Sequence, residues 1–386
     1  MKRIYLDNAA TSWPKPDVVY EVVDRYLREN GAPAGRSAYR EAADIEGMIA
    51  SARSSIARLI GADHAKQVLF TFNGTGALNL AIHGLLRSGD HAICTDADHN
   101  SVLRPLRHLE EHHGVEVSRV TCDSSGRVDP DDVRRAIRPN TRLVAMLHAS
   151  NVTGVIEPAA EVAEIAHQHG ALFLLDAAQS LGHWPVSVNE LSVDMLAAPG
   201  HKGLLGPLGT GVLYIRDGIE TAIESIAQGG TGTQSNEDRQ PESVPDKFES
   251  GNHNVPGLIG LAAAVGWLEG RGVHSIWQHE KELGGQLRER LRRIPGVKLH
   301  GPANGEPAVA VVSISIEGYD PQEAAAVLDS AFRVQVRAGL HCAGRLHAVL
   351  GTLERGGTIR FSAGAFNAQA DIDAAVSAVE EIARGK

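Results

Sequence analysis

The sequence predicts an α/β protein: a large, mostly parallel, doubly wound sheet with helices on both faces, followed by a smaller α+β lobe. Three observations carry this. Short apolar runs alternate with longer amphipathic segments between residues 68 and 175, the pattern of successive βα units. The 386 residues exceed one compact core and leave room for two units. Hydrophobic residues make up 43% and aromatics only 4%, so burial has to come from Ala, Val, Leu and Ile packed in ordered layers.

The first helix is expected over residues 17–30, where Val18, Val19, Val22, Val23, Tyr26 and Leu27 recur at helical spacing, with Asp17 as N-cap and Gly31 as stop. A looser stretch, 32–39, leads into a second helix with an apolar face of Ile45, Met48, Ile49, Ile56 and Leu59, ended by Gly61. Strands are then expected at 68–72, 92–95, 115–120, 143–148 and 172–175, separated by helices at 77–86, 100–113, 131–137 and 159–169. A parallel sheet with right-handed crossovers accommodates them, and ligands then belong at the strands' carboxyl ends. Residues 228–253, rich in Gly, Ser, Glu and Pro, are too long for an idle connection and read as a functional loop. The tail predicts helices at 258–269, 275–293, 321–332 and 370–383 and strands at 297–300, 309–316, 334–337 and 358–362. The expected division is a large unit of residues 16–257 and a small unit of 1–15 together with 258–386.

With 37 Lys+Arg against 47 Asp+Glu, a net charge of −10 repels phosphate backbones and anionic lipid, so neither nucleic acid nor membrane is an expected partner. Cys94, Cys122 and Cys342 form no CxxC pair, which argues against a disulfide framework and a bound metal and for a reducing cytoplasm. No leader-like apolar segment precedes Asp7 and no 18-residue apolar run follows, so a cytoplasmic protein is expected.

Three features hold potential chemistry. Asn73-Gly-Thr-Gly76 follows a strand and opens a helix, so its amides and the Thr75 hydroxyl suit an anion, although such a turn is often only a tight turn. Asp176 ends an apolar strand, where a carboxylate needs a structural partner or a protonated heterocycle. Lys202 stands alone in the uncharged loop Pro199-Gly-His-Lys202-Gly-Leu-Leu-Gly206; it is either a solvated surface lysine or a desolvated amine able to form a Schiff base. In this order they match what pyridoxal phosphate needs for its phosphate, its ring nitrogen and its aldehyde.

Further stretches extend the match: Tyr5-Leu-Asp-Asn-Ala-Ala-Thr11, Asp98-His-Asn100, Ser150-Asn-Val-Thr-Gly154, Asp176-Ala-Ala-Gln179, Phe248-Glu-Ser-Gly251, Arg337-Ala-Gly-Leu-His-Cys-Ala343 and Thr358-Ile-Arg-Phe-Ser362. With them the chain resembles, over essentially its whole length, the class V, fold-type I pyridoxal-phosphate enzymes, and among these the cysteine desulfurase and selenocysteine lyase group.

The resemblance implies the following roles. Lys202 forms the Schiff base, Asp176 partners the pyridine nitrogen, and Gln179 donates to the phenolate oxygen. His99 stacks on the ring and shuttles a proton, while Thr75, Gly76 and His201 clamp the phosphate. Asn252 stands where the family often places a Thr that reaches the phosphate from a second subunit, which implies a homodimer. Arg360 grips the substrate α-carboxylate, with Asn151 and Arg337 assisting. Cys342 attacks the sulfur of bound L-cysteine, leaving L-alanine and a persulfide that an acceptor protein removes for sulfur mobilisation and iron-sulfur cluster assembly.

The short loop around Cys342 is similar to the group-II desulfurases. Two positions depart from the familiar pattern. Pro199 replaces a phosphate-binding Ser or Thr, and Leu340 replaces the first His of a Gly-His-His-Cys run. Rival readings are a selenocysteine lyase acting on L-selenocysteine and a class V aminotransferase that makes no use of Cys342.

Overall fold

The computed structural model describes residues 3–34, 39–303 and 305–385. The middle of the looser 32–39 stretch, residues 35–38, lies outside the described residues. In chain order the elements are β1 (Ile4–Tyr5), α1 (Asp17–Arg25), α2 (Arg40–Ile60), β2 (Val68–Thr71), α3 (Gly74–Leu85), β3 (His91–Thr95), α4 (Asn100–His112), β4 (Glu116–Val120), α5 (Pro130–Ala136), β5 (Thr141–Leu147), α6 (Ala159–Gln168), β6 (Leu172–Asp176), β7 (Met195–Pro199) and β8 (Gly211–Ile215). Then follow α7 (Val255–Arg271), α8 (Val273–Arg292), β9 (Val297–His300), β10 (Val311–Ile316), α9 (Pro321–Phe332), β11 (Val334–Gln335), β12 (Arg337–Gly339), α10 (Gly344–Val349), β13 (Thr358–Ser362) and α11 (Gln369–Arg384).

Seven strands form the large sheet in the order β2-β8-β7-β6-β5-β3-β4. The pairs among β7, β6, β5, β3 and β4 are parallel, and β8 runs antiparallel to both neighbours. The carboxyl ends of β2, β3, β5, β6 and β7 therefore share one edge. One face is covered by α3 and α4, through Leu78, Ile82, Val102 and Leu106. The other face packs against α2, α6 and α7, through Ile56, Val162 and Leu261. Each such fully buried side chain contributes about 1.5–3 kcal/mol of transfer free energy.

The second sheet, β12-β13-β10-β9, is antiparallel and packs on α8, α9 and α11. Leu6 also lies in that core, and β1 pairs in parallel with β11, so the N-terminal segment is tied to the C-terminal sheet. Helix α7, beyond the expected division at 257/258, contributes Leu258, Leu261, Val265 and Leu268 to the large sheet's core.

Several details differ from the sequence reading. Strands β7 and β8 were not foreseen, because Met195-Leu-Ala-Ala-Pro199 and Gly211-Val-Leu-Tyr-Ile215 are short, fully buried and carry no alternation. The N-cap of α1 is Pro16 rather than Asp17, its ring holding the extended φ of −55° that starts the helix, with Asp17 in the first turn. The expected strand 334–337 is two pieces in different sheets. Residues 228–253 contain neither helix nor strand.

Candidate active site

The shared carboxyl edge brings Thr75 (after β2), His99 (after β3), Asn151 (after β5), Asp176 and Gln179 (at and after β6), and His201 and Lys202 (after β7) around one cavity. Local sequence makes the approach possible. A Cβ on Gly200 would lie 2.2 Å from the Thr210 hydroxyl, so the Lys202 loop folds back against Thr210 only with glycine there, and a Cβ on Gly74 would lie 3.1 Å from Pro199, where the start of α3 approaches that loop closely.

Lys202 is desolvated, and burial lowers its ammonium to about 8; Asp176 works against this, while Arg360 and Arg337 reinforce it. Burial raises the Asp176 carboxyl, and the Ala178 N–H, donating to Oδ1 at 2.9 Å, and the Lys202 charge pull it back. His99 caps α4: the Ser101 N–H donates to its Nδ1 at 3.0 Å, which assigns the ring proton to Nε2. The Ser101 hydroxyl links that same Nδ1 (2.9 Å) to the Thr75 hydroxyl (2.8 Å). Burial, then the positive charges of Lys202, Arg337, Arg104 and Arg360, push His99 down to about 4, so the ring is neutral at pH 7.

The N-terminal segment seals one wall. Gln179 Nε2 donates to the Ala9 carbonyl at 2.9 Å. The His201 carbonyl accepts from the Ser12 N–H and hydroxyl (both 3.1 Å) and from Lys15 Nζ (2.8 Å).

Arg360, 2% exposed in β13, pairs with Asp7 at 2.8 Å and donates to the Asn151 carbonyl at 3.1 Å, while its Nε has no partner. Arg337, exposed on β12, stands opposite it in register. Cys342 is exposed, on a turn in which both His341 (φ +48°) and Cys342 (φ +59°) adopt the left-handed conformation that non-glycine residues rarely take. Three contacts hold that turn: the Asn100 N–H donates to the Cys342 carbonyl (2.9 Å), Asn151 Nδ2 to the His341 carbonyl (2.6 Å), and the Ala343 N–H to the Leu340 carbonyl (2.8 Å). The Cys342 sulfur is near enough to act electrostatically on both Lys202 and Arg360. Cys94 and Cys122 are buried, and burial raises both thiols, Cys122 to about 12.

One expected residue lies elsewhere, and Asn252, expected to act at a second subunit's site, borders a different cavity of its own chain. The Gly76 N–H is taken by the Asn73 side chain (2.8 Å), and Gly76 and Asn252 line a neighbouring cavity with Phe72 and Ile226. At the helix start the Lys202 cavity meets Gly74 and Thr75 instead. Ser101, Asp7 and Lys15 escaped the sequence reading. Ser101 and Asp7 adjoin or lie within quoted motifs, but nothing in spacing reveals that they contact His99 and Arg360.

The donor set fits pyridoxal phosphate. Asp176 is a buried carboxyl suited to a ring N–H, and the Asn73-capped start of α3 suits a phosphate. His201 Nδ1 and Asn151 Oδ1 are buried without a partner, leaving a donor or acceptor on each for a ligand.

Comparison with known proteins agrees with this arrangement. The family described as Aminotransferase class-V matches residues 4–375. A probable cysteine desulfurase of Methanothermobacter thermautotrophicus is 36% identical over 384 residues, covering 98% of this chain and 94% of that one. The cysteine desulfurase of Haloferax volcanii is 31% identical over 98% of this chain and 88% of its own. Among solved structures, the apo cysteine desulfurase of Thermococcus onnurineus superimposes with a TM-score of 0.93 at 34% identity, covering 100% of this chain and 95% of that one. The Escherichia coli cysteine desulfurase CsdA, in an S-sulfonic acid form, gives 0.89 at 29%, covering 98% and 94%. Family signature, full-length identity and superposition converge with the site geometry: the chain belongs to the class-V aminotransferase family of pyridoxal-phosphate enzymes, among its cysteine desulfurases.

Proposed function

We propose that this protein converts L-cysteine to L-alanine and carries the abstracted sulfur as a persulfide on Cys342, for removal by an acceptor protein. The observation that carries the proposal is the Cys342 turn, held in a strained conformation against the start of α4 and within electrostatic reach of Lys202. A class V aminotransferase has no use for such a thiol.

Pyridoxal phosphate, when bound, supplies an aldehyde for amines and an electron-withdrawing ring. Lys202 would hold the aldehyde, Asp176 the ring nitrogen, and Thr75, Gly74 and His201 the phosphate. Because burial brings the Lys202 ammonium down to about 8, a useful fraction of free amine exists near neutrality to take and return the Cα proton. His99, neutral and tethered through Nδ1, keeps its Nε2 proton available to the cavity. Arg360, already oriented by Asp7 and the Asn151 carbonyl, offers its free Nε to the substrate carboxylate. The Cys342 sulfur attacks the substrate sulfur; the S–S bond forms as the Cβ–S bond breaks, and the carbon skeleton leaves as alanine after protonation.

The neighbouring cavity, with Asn252 and exposed apolar side chains, is the surface that supports a homodimer. The compact Cys342 turn favours a group-II type; among the described residues no helix is long and apolar enough to cross a membrane.

The test uses three proteins. Wild type should be yellow, lose its colour on borohydride treatment and release alanine from L-cysteine. After borohydride treatment and denaturation, wild type should keep a covalently bound pyridoxyl group and Lys202→Ala should keep none, and Cys342→Ser should keep the colour while alanine release falls at least a hundredfold. Undiminished alanine release by Cys342→Ser would overturn the persulfide step.

A further inference from the structure

Apart from the Lys202 cavity and its neighbour, a cavity of about 430 Å³ is bordered by Lys281, Gly284, Gly285 and Arg288 of α8 and by Ala308 and Val309. Arg288 is only 8% exposed. Its Nη2 donates to the Val311 carbonyl at 3.0 Å, its Nε is buried without a partner, and it makes no ion pair among the described residues. Burial, reinforced by the Arg292 charge, lowers it to about 10, which still leaves it a cation at neutral pH. A guanidinium withdrawn from water without a counter-ion is costly, and native proteins rarely retain one.

The acids at the cavity wall do not compensate it. Glu289 is paired with Arg293, and Glu306 accepts the Ala303 N–H at 2.8 Å. Lys281 adds a second positive group, exposed and lying 5.1 Å from the centre of the Trp277 ring. The glycines leave the room: a Cβ on Gly285 would meet nothing within 4 Å. Arg288 also lies close to the turn that carries Asn151, since a Cβ on Gly154 would lie 3.3 Å from Arg288 Nη2.

We propose that this cavity is a binding site for a small oxyanion, held by the Arg288 guanidinium through charge-assisted hydrogen bonds with Lys281 at the mouth. Carboxylates and phosphates share the planar or tripodal oxygen geometry that guanidinium recognises. The site is independent of the sulfur chemistry proposed above.

The holoenzyme is the right material, because its cofactor keeps the phosphate end of the Lys202 cavity filled. Its thermal midpoint is titrated with inorganic phosphate and, separately, with acetate, each against sodium chloride at matched ionic strength. A saturable rise with either anion is expected; a response to phosphate alone assigns the phosphate class and to acetate alone the carboxylate class. In Arg288→Gln the half-saturation concentration should rise by about tenfold to a hundredfold, the scale of a lost charged hydrogen bond. Gly285→Leu, which projects a bulky apolar side chain into the cavity and leaves Arg288 in place, should weaken the response at least tenfold, and it serves as the decisive variant if Arg288→Gln fails to fold. A response of equal size in wild type and Gly285→Leu, or no rise beyond that of chloride, would overturn the proposal.

Discussion

Lys202 has an amine whose behaviour is set by its surroundings rather than by its own chemistry. Burial favours the neutral form and Asp176 favours the charged one, and the balance stands at about 8. The fraction of apoprotein able to capture pyridoxal phosphate should therefore rise with pH through a midpoint near 8, well below the 10.4 of a free lysine. Removing the counter-charge in Asp176→Asn should move that midpoint to lower pH, as read from the rate of colour development across a pH series. At this scale the sequence was informative where a residue is unusual for its setting, as with a lone lysine in an uncharged loop or a carboxylate ending an apolar strand. It was silent on partners that only meet in space. Asp7 and Arg360 are separated by most of the chain, and no local pattern links them.

Helix α3 shows how an element shapes a site. Asn73 caps it, accepting the Gly76 N–H, and the capped end faces the Lys202 cavity through Gly74 and Thr75. Asn73→Ala should cost about 1 kcal/mol, the usual value of such a cap, seen as a lower urea midpoint, and should also weaken cofactor retention on dialysis. The capped start was legible as Asn73-Gly-Thr-Gly76. Which of its groups reach the cavity was not, because the cap itself consumes the Gly76 amide. Strands β7 and β8 were equally hidden, since strands buried on both faces lose the alternation that marks half-exposed ones. Yet β7 delivers Lys202 to the shared edge.

Across the whole molecule, buried histidines link stability to pH. Burial holds His91, His99, His148, His201, His300 and His347 at about 4 and His341 at about 2. Their unfolded value is near 6.5, so as pH falls from about 6.5 towards 4 the unfolded chain takes up protons that the native state refuses, and stability is lost. Asp98 and Glu157, raised by burial to about 7 and 8, and Asp176, also raised by burial, act in the opposite sense over that window, but they are three against seven. Urea midpoints should fall steeply between about pH 6.5 and pH 4.5, and His148→Asn should flatten the slope.

Phe72 (61% exposed) and Ile226 (46%) border the neighbouring cavity that contains Asn252. Exposed apolar groups clustered at a cavity are a common mark of a subunit contact. The homodimer proposed above predicts that Phe72→Asp shifts the protein towards the monomer in sedimentation and lowers its cofactor occupancy.

By itself the sequence determined the layered α/β architecture and the identity of the chemical groups, because hydrophobic period, glycine turns and rare charged residues are local properties of the chain. Tertiary structure alone decided which of those groups converge: that the parallel strands end on one edge, that α7 packs on the large sheet, that Asp7 braces Arg360, and that the Asn73 cap takes up the Gly76 amide. Convergence depends on contacts between residues hundreds of positions apart, and these are fixed by how the layers pack rather than by any segment's own preference.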